Sequence, residues 1–184
     1  LLSGADLGIY TDVPTNESDD TVAISNVPVG LPSRDVISLE DAQNAFNAAE
    51  NELEKTRASD TSEEEVRRAV SKVMRANIQL SVARLSDTNS RNGYIEITAQ
   101  SMRMGETVLV SIPVEPFVEL ADEVKKRSGS ANTIFSGFSN GHINYLATDM
   151  AYEEGGYEVS VTVFAPGSAE LSIGASLAAI DNVL

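Results

Sequence analysis

Cysteine and tryptophan are absent, and a single histidine, His142, stands among 184 residues. Without cysteine there are no disulfides, no thiol nucleophiles and no cysteine-based zinc sites. One histidine also falls short of a catalytic zinc centre, which takes three or four protein ligands and keeps a position open for water. Bases are scarce: 13 Lys and Arg oppose 28 Asp and Glu, giving a formal net charge of −15. So acidic a chain repels phosphate backbones, which argues against a nucleic-acid partner. No apolar run of about 18 residues occurs, the length a membrane-spanning helix needs. The opening Leu1, Leu2, Ser3, Gly4 lacks an initiator methionine and a basic-then-apolar leader, and the chain reads as a piece of a longer polypeptide.

What is present has the proportions of an ordinary globular chain, 42% hydrophobic and 22% charged. A chain this long buries about 70% of its unfolded surface, enough to fold without covalent staples. The charge is uneven: between Ser38 and Ser86 nine acids meet seven bases, so −13 of the −15 lies elsewhere.

Residues 1–37 read as an extended leading segment, punctuated by Pro14, Pro28 and Pro32. The polar run over 15–20 holds Asn16, Glu17, Asp19 and Asp20 but lacks the ligand alternation of an EF-hand, so it reads as a solvated loop. Residues 38–86 read as an antiparallel helical hairpin. Ser38 caps the first helix, which carries Leu39, Ala42, Phe46, Ala49 and Leu53 on one face. Ser62 opens the second, with Glu63, Glu64 and Glu65 at its positive end and Val66, Ala69, Val70, Val73, Leu80 and Leu85 as its stripe.

From Tyr94 the period changes to two, and residues 87–184 read as an α/β domain. Ile95 and Ile97 alternate with polar neighbours, Gly105 turns the chain, and residues 107–112 form a nearly continuous apolar strand that Pro113 stops. Pro116 suits the first turn of a helix ending near Arg127, and residues 132–138 read as the next strand, implying a right-handed crossover. Residues 157–164 alternate Val159, Val161 and Val163 as in a strand, and Pro166 and Gly167 introduce a last helix carrying Leu171, Ala175, Leu177 and Ile180. The expected fold class is α/β, a mixed sheet with a strand-helix-strand crossover plus the helical hairpin.

In such a unit, ligands collect beyond the carboxyl ends of the strands. Glu115 follows one strand and Tyr145 the next. If those strands are parallel neighbours, the two side chains reach one pocket. Taken singly, Glu115 reads as a carboxylate at a helix start, Tyr145 as a core tyrosine, His142 as a loop histidine and Tyr157 as a packing residue.

Together the segments Pro113-Val114-Glu115-Pro116-Phe117, Asn140-Gly141-His142-Ile143-Asn144-Tyr145 with Thr148, Tyr152-Glu153-Glu154 with Tyr157-Glu158, and Pro166-Gly167 resemble the C-terminal part of the catalytic region of neutral/alkaline, non-lysosomal ceramidases. Those enzymes are zinc amidases that cleave N-acylsphingosine, binding the metal with two histidines, a glutamate and a tyrosine. The resemblance implies that Glu115 and Tyr145 are metal ligands and that Tyr157 is catalytic, donating to the reacting carbonyl oxygen. It implies zinc in a full-length parent, with none or a substoichiometric amount in this piece, because both histidine ligands would lie upstream. The implied partners are an amide-bearing lipid or other small substrate and the upstream part of the same polypeptide, in an extracellular or cell-envelope setting. His142 stands where many relatives carry an aromatic residue, and Val114 replaces their usual glycine. The alternative expectation is a non-catalytic ligand-binding or protein-interaction domain of the same fold.

Overall fold

The computed structural model describes residues 22–184. Its elements in chain order are β1 (Val22–Pro32), α1 (Leu39–Ala58), α2 (Glu63–Asn89), β2 (Ser90–Arg91), β3 (Tyr94–Met104), β4 (Thr107–Ser111), β5 (Glu115–Pro116), α3 (Val118–Arg127), β6 (Asn132–Ser136), β7 (Tyr145–Leu146), α4 (Asp149–Glu154), α5 (Tyr157–Val161) and α6 (Ser168–Asp181). The fold is mixed α/β. The polar run over 15–20 lies outside the described residues.

A sheet in the order β1-β3-β4-β6 forms the centre, with β2 pairing beside β4 on the same side of β3. Antiparallel pairing joins β1 to β3 and β3 to β4, whereas β4 and β6 run parallel with α3 between them in sequence. Gly105, at φ 60°, makes the tight turn from β3 into β4.

The period-two pattern decides which face is covered. Ile95, Ile97, Ala99 and Ser101 of β3 and Val108 and Val110 of β4 are buried, and they join Leu120 and Val124 of α3 and Ile173, Ala179 and Ile180 of α6 in the main core. Small residues along α6 let it lie close on the sheet: Ala175 and Ala179 are buried, and the buried Ser101 donates to the Ala179 carbonyl at 2.5 Å. Leu171, assigned to the apolar stripe by spacing, is exposed instead, and Ile173 is buried in its place.

The opposite face carries an apolar row across four strands. Ile24, Met102, Leu109 and Ile134 are successive register partners, with Ile24 62% and Ile134 53% exposed.

Two elements depart from the expected reading. The leading segment contains an eleven-residue strand, β1, which spans Pro28 and Pro32. Proline survives there because β1 is an edge strand, half of whose N–H groups face away from its neighbour. Residues 157–164 do not form a strand: Tyr157–Val161 is a short helix, and Phe164 makes only an isolated bridge to Ser33. Gly155 and Gly156, at φ 78° and 123°, turn the chain into that helix. Distant donors then take the carbonyls at its end: Arg34 Nη1 reaches Val159 O at 2.7 Å and Asn144 Nδ2 reaches Val161 O at 2.9 Å. Long-range hydrogen bonds thus override the β-propensity of the three valines. Similarly, Pro116 belongs to β5 and helix α3 begins only at Val118.

The hairpin forms as its caps dictate. Ser38 Oγ accepts from Asp41 N at 3.0 Å. Ser62 and Glu65 make a reciprocal capping box, with Ser62 N donating to Glu65 Oε2 at 3.1 Å. Ala42, Leu80 and Ala83 make a small core between the helices, and Val82 carries α2 into the main core.

The bond from the Ser62 backbone holds the Glu65 carboxyl below its ordinary value of 4.5, with the Ser62 and Thr61 hydroxyls adding to the effect. The depressed folded-state value means that this cap contributes fully above the unfolded pKa and is lost as pH falls through the folded one. Glu65→Gln should therefore lower the thermal midpoint at neutral pH, and the gap from wild type should close on acidification, as followed by far-ultraviolet circular dichroism. A gap that persists unchanged in acid would contradict this assignment.

Candidate functional site

The chain beyond β4 continues as an extended ribbon, residues 112–117, with partners on both edges. On one edge Ile112 N donates to Ser136 O at 3.1 Å and Phe138 N donates to Val114 O at 2.9 Å. On the other, Ile143 N donates to Pro113 O at 3.0 Å, Glu115 N to Asn144 O at 2.9 Å and Phe117 N to Leu146 O at 3.0 Å. The second edge is the parallel β5–β7 ladder, in which Glu115 is the register partner of Tyr145. Thirty residues apart in sequence, the acid and the phenol are brought opposite each other by backbone bonds alone.

Alternation along the ribbon sends Ile112 and Val114 into the main core, both essentially unexposed, and Glu115 to the other side. Val114 thus accommodates its side chain in the core with its carbonyl bonded to Phe138. The close approach of backbone falls instead at Gly137, where a Cβ would lie 2.6 Å from Pro116 Cδ and 3.1 Å from Val114 O. Glycine there lets β6 continue past the proline that follows Glu115.

Glu115, Tyr145 and Tyr157 line one cavity of about 390 Å³, together with His142 and one side of α2. The rings of Tyr145 and Tyr157 meet edge to face with centroids 6.3 Å apart. His142 stacks on Phe138 at 4.8 Å and places Nε2 3.7 Å from Glu115 Oε2. Phe138 and Asn140 hold left-handed backbone conformations, at φ 54° and 61°, in the loop that brings His142 there. Tyr152, by contrast, spends its hydroxyl on Phe164 O at 2.7 Å and is a structural anchor.

Lost hydration raises the Tyr145 pKa above its ordinary 10.0, and the Glu115 carboxylate raises it further by repelling the phenolate and by accepting the phenol's hydrogen bond. Both effects favour the neutral phenol. A cation between the two oxygens would offset their mutual repulsion in the ionised form, which is the chemistry of an oxygen-donor metal site. Among the described residues no group of three or more His, Cys, Asp or Glu side chains gathers around these oxygens or elsewhere. Two oxygen donors are compatible with part of a zinc shell, which takes three or four protein ligands.

Sequence reasoning quoted Asn144 in a motif without giving it a role. It is buried, its Oδ1 accepts from Tyr145 N at 2.6 Å, and its Nδ2 donates to Val161 O. Thr162 adds a second tie, Oγ1 to Tyr145 O at 2.7 Å. These bonds dock the helix that starts at Tyr157 against the strand that starts at Tyr145. No local pattern predicts them, because the partners lie seventeen residues apart.

Asn144→Ala leaves a buried carbonyl and a buried amide without partners and should cost about 2–3 kcal/mol. A chemical-denaturation curve measures that loss, and the Tyr145 to Tyr157 ring contact should weaken in nuclear Overhauser spectra. An unchanged ring contact would show that Asn144 does not position the two phenols.

No protein-family model and no curated protein matches the chain. Two solved structures do resemble it. One is a neutral ceramidase from Pseudomonas aeruginosa, 18% identical with a TM-score of 0.45, over 88% of this chain and 29% of that one. The other is a ceramidase complexed with C2, 22% identical with a TM-score of 0.39, over 50% of this chain and 16% of that one. The chain spans less than a third of the length of either.

Proposed function

We propose that this chain contributes the oxygen-ligand half of a zinc-dependent amidase site of the ceramidase type, completed by an upstream part of the same polypeptide. The observation that carries this reading is the pairing of Glu115 with Tyr145 in one ladder, with Tyr157 on the same cavity. All three are residues for which the motif resemblance implies those roles.

When bound, zinc supplies charge that polarises an amide carbonyl and makes hydroxide available near neutral pH. Glu115 and Tyr145 would hold the ion. Both present oxygen, a normal donor for zinc at about 2.0–2.2 Å. His142, beside Glu115 and stacked on Phe138, restricts the carboxylate's orientation. Tyr157 donates its hydroxyl to the carbonyl oxygen as negative charge builds there, a contribution of about 3 kcal/mol where the donor is well aimed. Its ring is held against Tyr145, so the donor and the ligand keep a fixed relation.

Two oxygen donors hold zinc weakly, so the chain by itself is inactive and takes up zinc substoichiometrically. The apolar row, exposed among the described residues, suits this reading as well, since a sheet face that receives a further layer carries such a row. That row also favours a second reading, a non-catalytic interaction domain of the same fold. The two part company at the metal.

The test is zinc content by atomic absorption on the chain alone and joined to its upstream sequence. The joined protein should carry about one zinc, and Glu115→Gln should remove most of it along with amidase activity on an N-acyl amino alcohol, while Tyr157→Phe should keep the zinc and lose the activity. Zinc uptake indifferent to Glu115→Gln would overturn the proposal in favour of the interaction domain.

A further inference from the structure

The cavity behind Glu115 has a neighbour. A second cavity, of about 200 Å³, is lined by Arg34, Asp35, Val36, Ile37, Gln79 and Ser160 along with Ile78 and Val82. Ile78 and Val82 also line the cavity that holds Glu115, Tyr145 and Tyr157. They stand one helical turn apart on α2, so their side chains lie one above the other on the same face. Val82 is buried and packed into the main core, whereas Ile78 is only partly buried at its edge. The two side chains therefore form a ridge with a cavity on each side, and Ile78 is its less constrained member.

The cavities differ in what they offer. The first is lined by Glu115, the phenols and His142 together with Ile78, Val82 and Leu85 of α2, whose Asn77 and Ser81 also border it. A ligand with a polar reacting group and an apolar tail places its tail toward α2. There it meets the ridge. Beyond the ridge Val36 and Ile37 offer apolar contact beside the polar Asp35, Gln79 and Ser160, while the Arg34 guanidinium is already engaged by the Val159 carbonyl at 2.7 Å.

Resting on the proposed amidase reading, we infer that Ile78 sets the length of aliphatic chain the site accepts by partitioning the two cavities. Short chains end against Ile78. Truncating this side chain joins the spaces, so a tail can run on between Val36, Ile37 and Val82. Enlarging it closes the first cavity earlier. The helical hairpin thereby becomes a specificity element of the site rather than an appendage, and Ile78 is a specificity-determining residue that takes no part in the chemistry.

Binding of a short-chain and a long-chain N-acyl amino alcohol to the 184-residue chain, measured calorimetrically below the micellar concentration, tests this. Ile78→Ala should shift the ratio of affinities toward the long chain by about tenfold, the discrimination that one or two methylenes bring in an apolar pocket. Ile78→Phe should shift it the opposite way, and shifts of opposite sign separate the effect from a general loss of folding. An unchanged ratio in both variants overturns the partition. Failure of the amidase reading has a different signature: zinc uptake by the joined protein indifferent to Glu115→Gln, with the ratio still responding to Ile78. Absence of binding by the wild-type chain to either ligand overturns the partition, while the amidase reading stands or falls with the zinc content of the joined protein.

Discussion

A two-residue parallel ladder brings together the acid and the phenol of the candidate site. Glu115 and Tyr145 face each other only because residues 112–117 form an extended ribbon with hydrogen-bonding partners on both edges. Parallel strands cannot be joined by a tight turn, so a long connection must lie between them. Here the connection is α3, β6 and the loop over 137–144, and each part leaves its mark. Helix α3 covers the core face. Strand β6 pairs with β4 and then with the outer edge of the ribbon. Gly137 allows the backbone to pass Pro116, and the loop returns the chain on the ribbon's other side, with His142 stacked on Phe138.

From that constraint the chemistry follows by alternation. Ile112 and Val114 go to the core and anchor the ribbon, leaving Glu115 on the opposite side with the phenol beside it. Reduced hydration and the nearby carboxylate then raise the phenol's pKa and couple the two groups electrostatically. Asn144 and Thr162 extend the arrangement to Tyr157 by docking a short helix against the second strand. Helix α2 closes the remaining wall through Ile78, Val82 and Leu85. Hairpin and sheet thus share the cavity, although the sequence reads as though they were separate units.

Elements whose signals are local were legible beforehand. Both hairpin helices start at their capping serines, β3 follows its period-two alternation, and β4 and β6 are parallel neighbours flanking a helix. Convergence of Glu115 and Tyr145 could be inferred from that topology. What was not legible depends on partners far along the chain. Residues 157–164 alternate like a strand, but Arg34 and Asn144 satisfy the carbonyls of a helix there. The strand spanning Pro28 and Pro32 was hidden because proline ordinarily marks a break, and nothing local says that a segment will be an edge strand. The part played by α2 was hidden for the same reason: spacing identifies an apolar stripe but not the cavity it borders.

The central claim, that Glu115 and Tyr145 share one electrostatic environment, is tested most directly by following ionisation of Tyr145 through its ring Cζ resonance in wild type and in Glu115→Gln. The account predicts a wild-type pKa above the ordinary tyrosine value that falls back toward it when the carboxylate becomes an uncharged amide. An identical Tyr145 titration in the two proteins would contradict it.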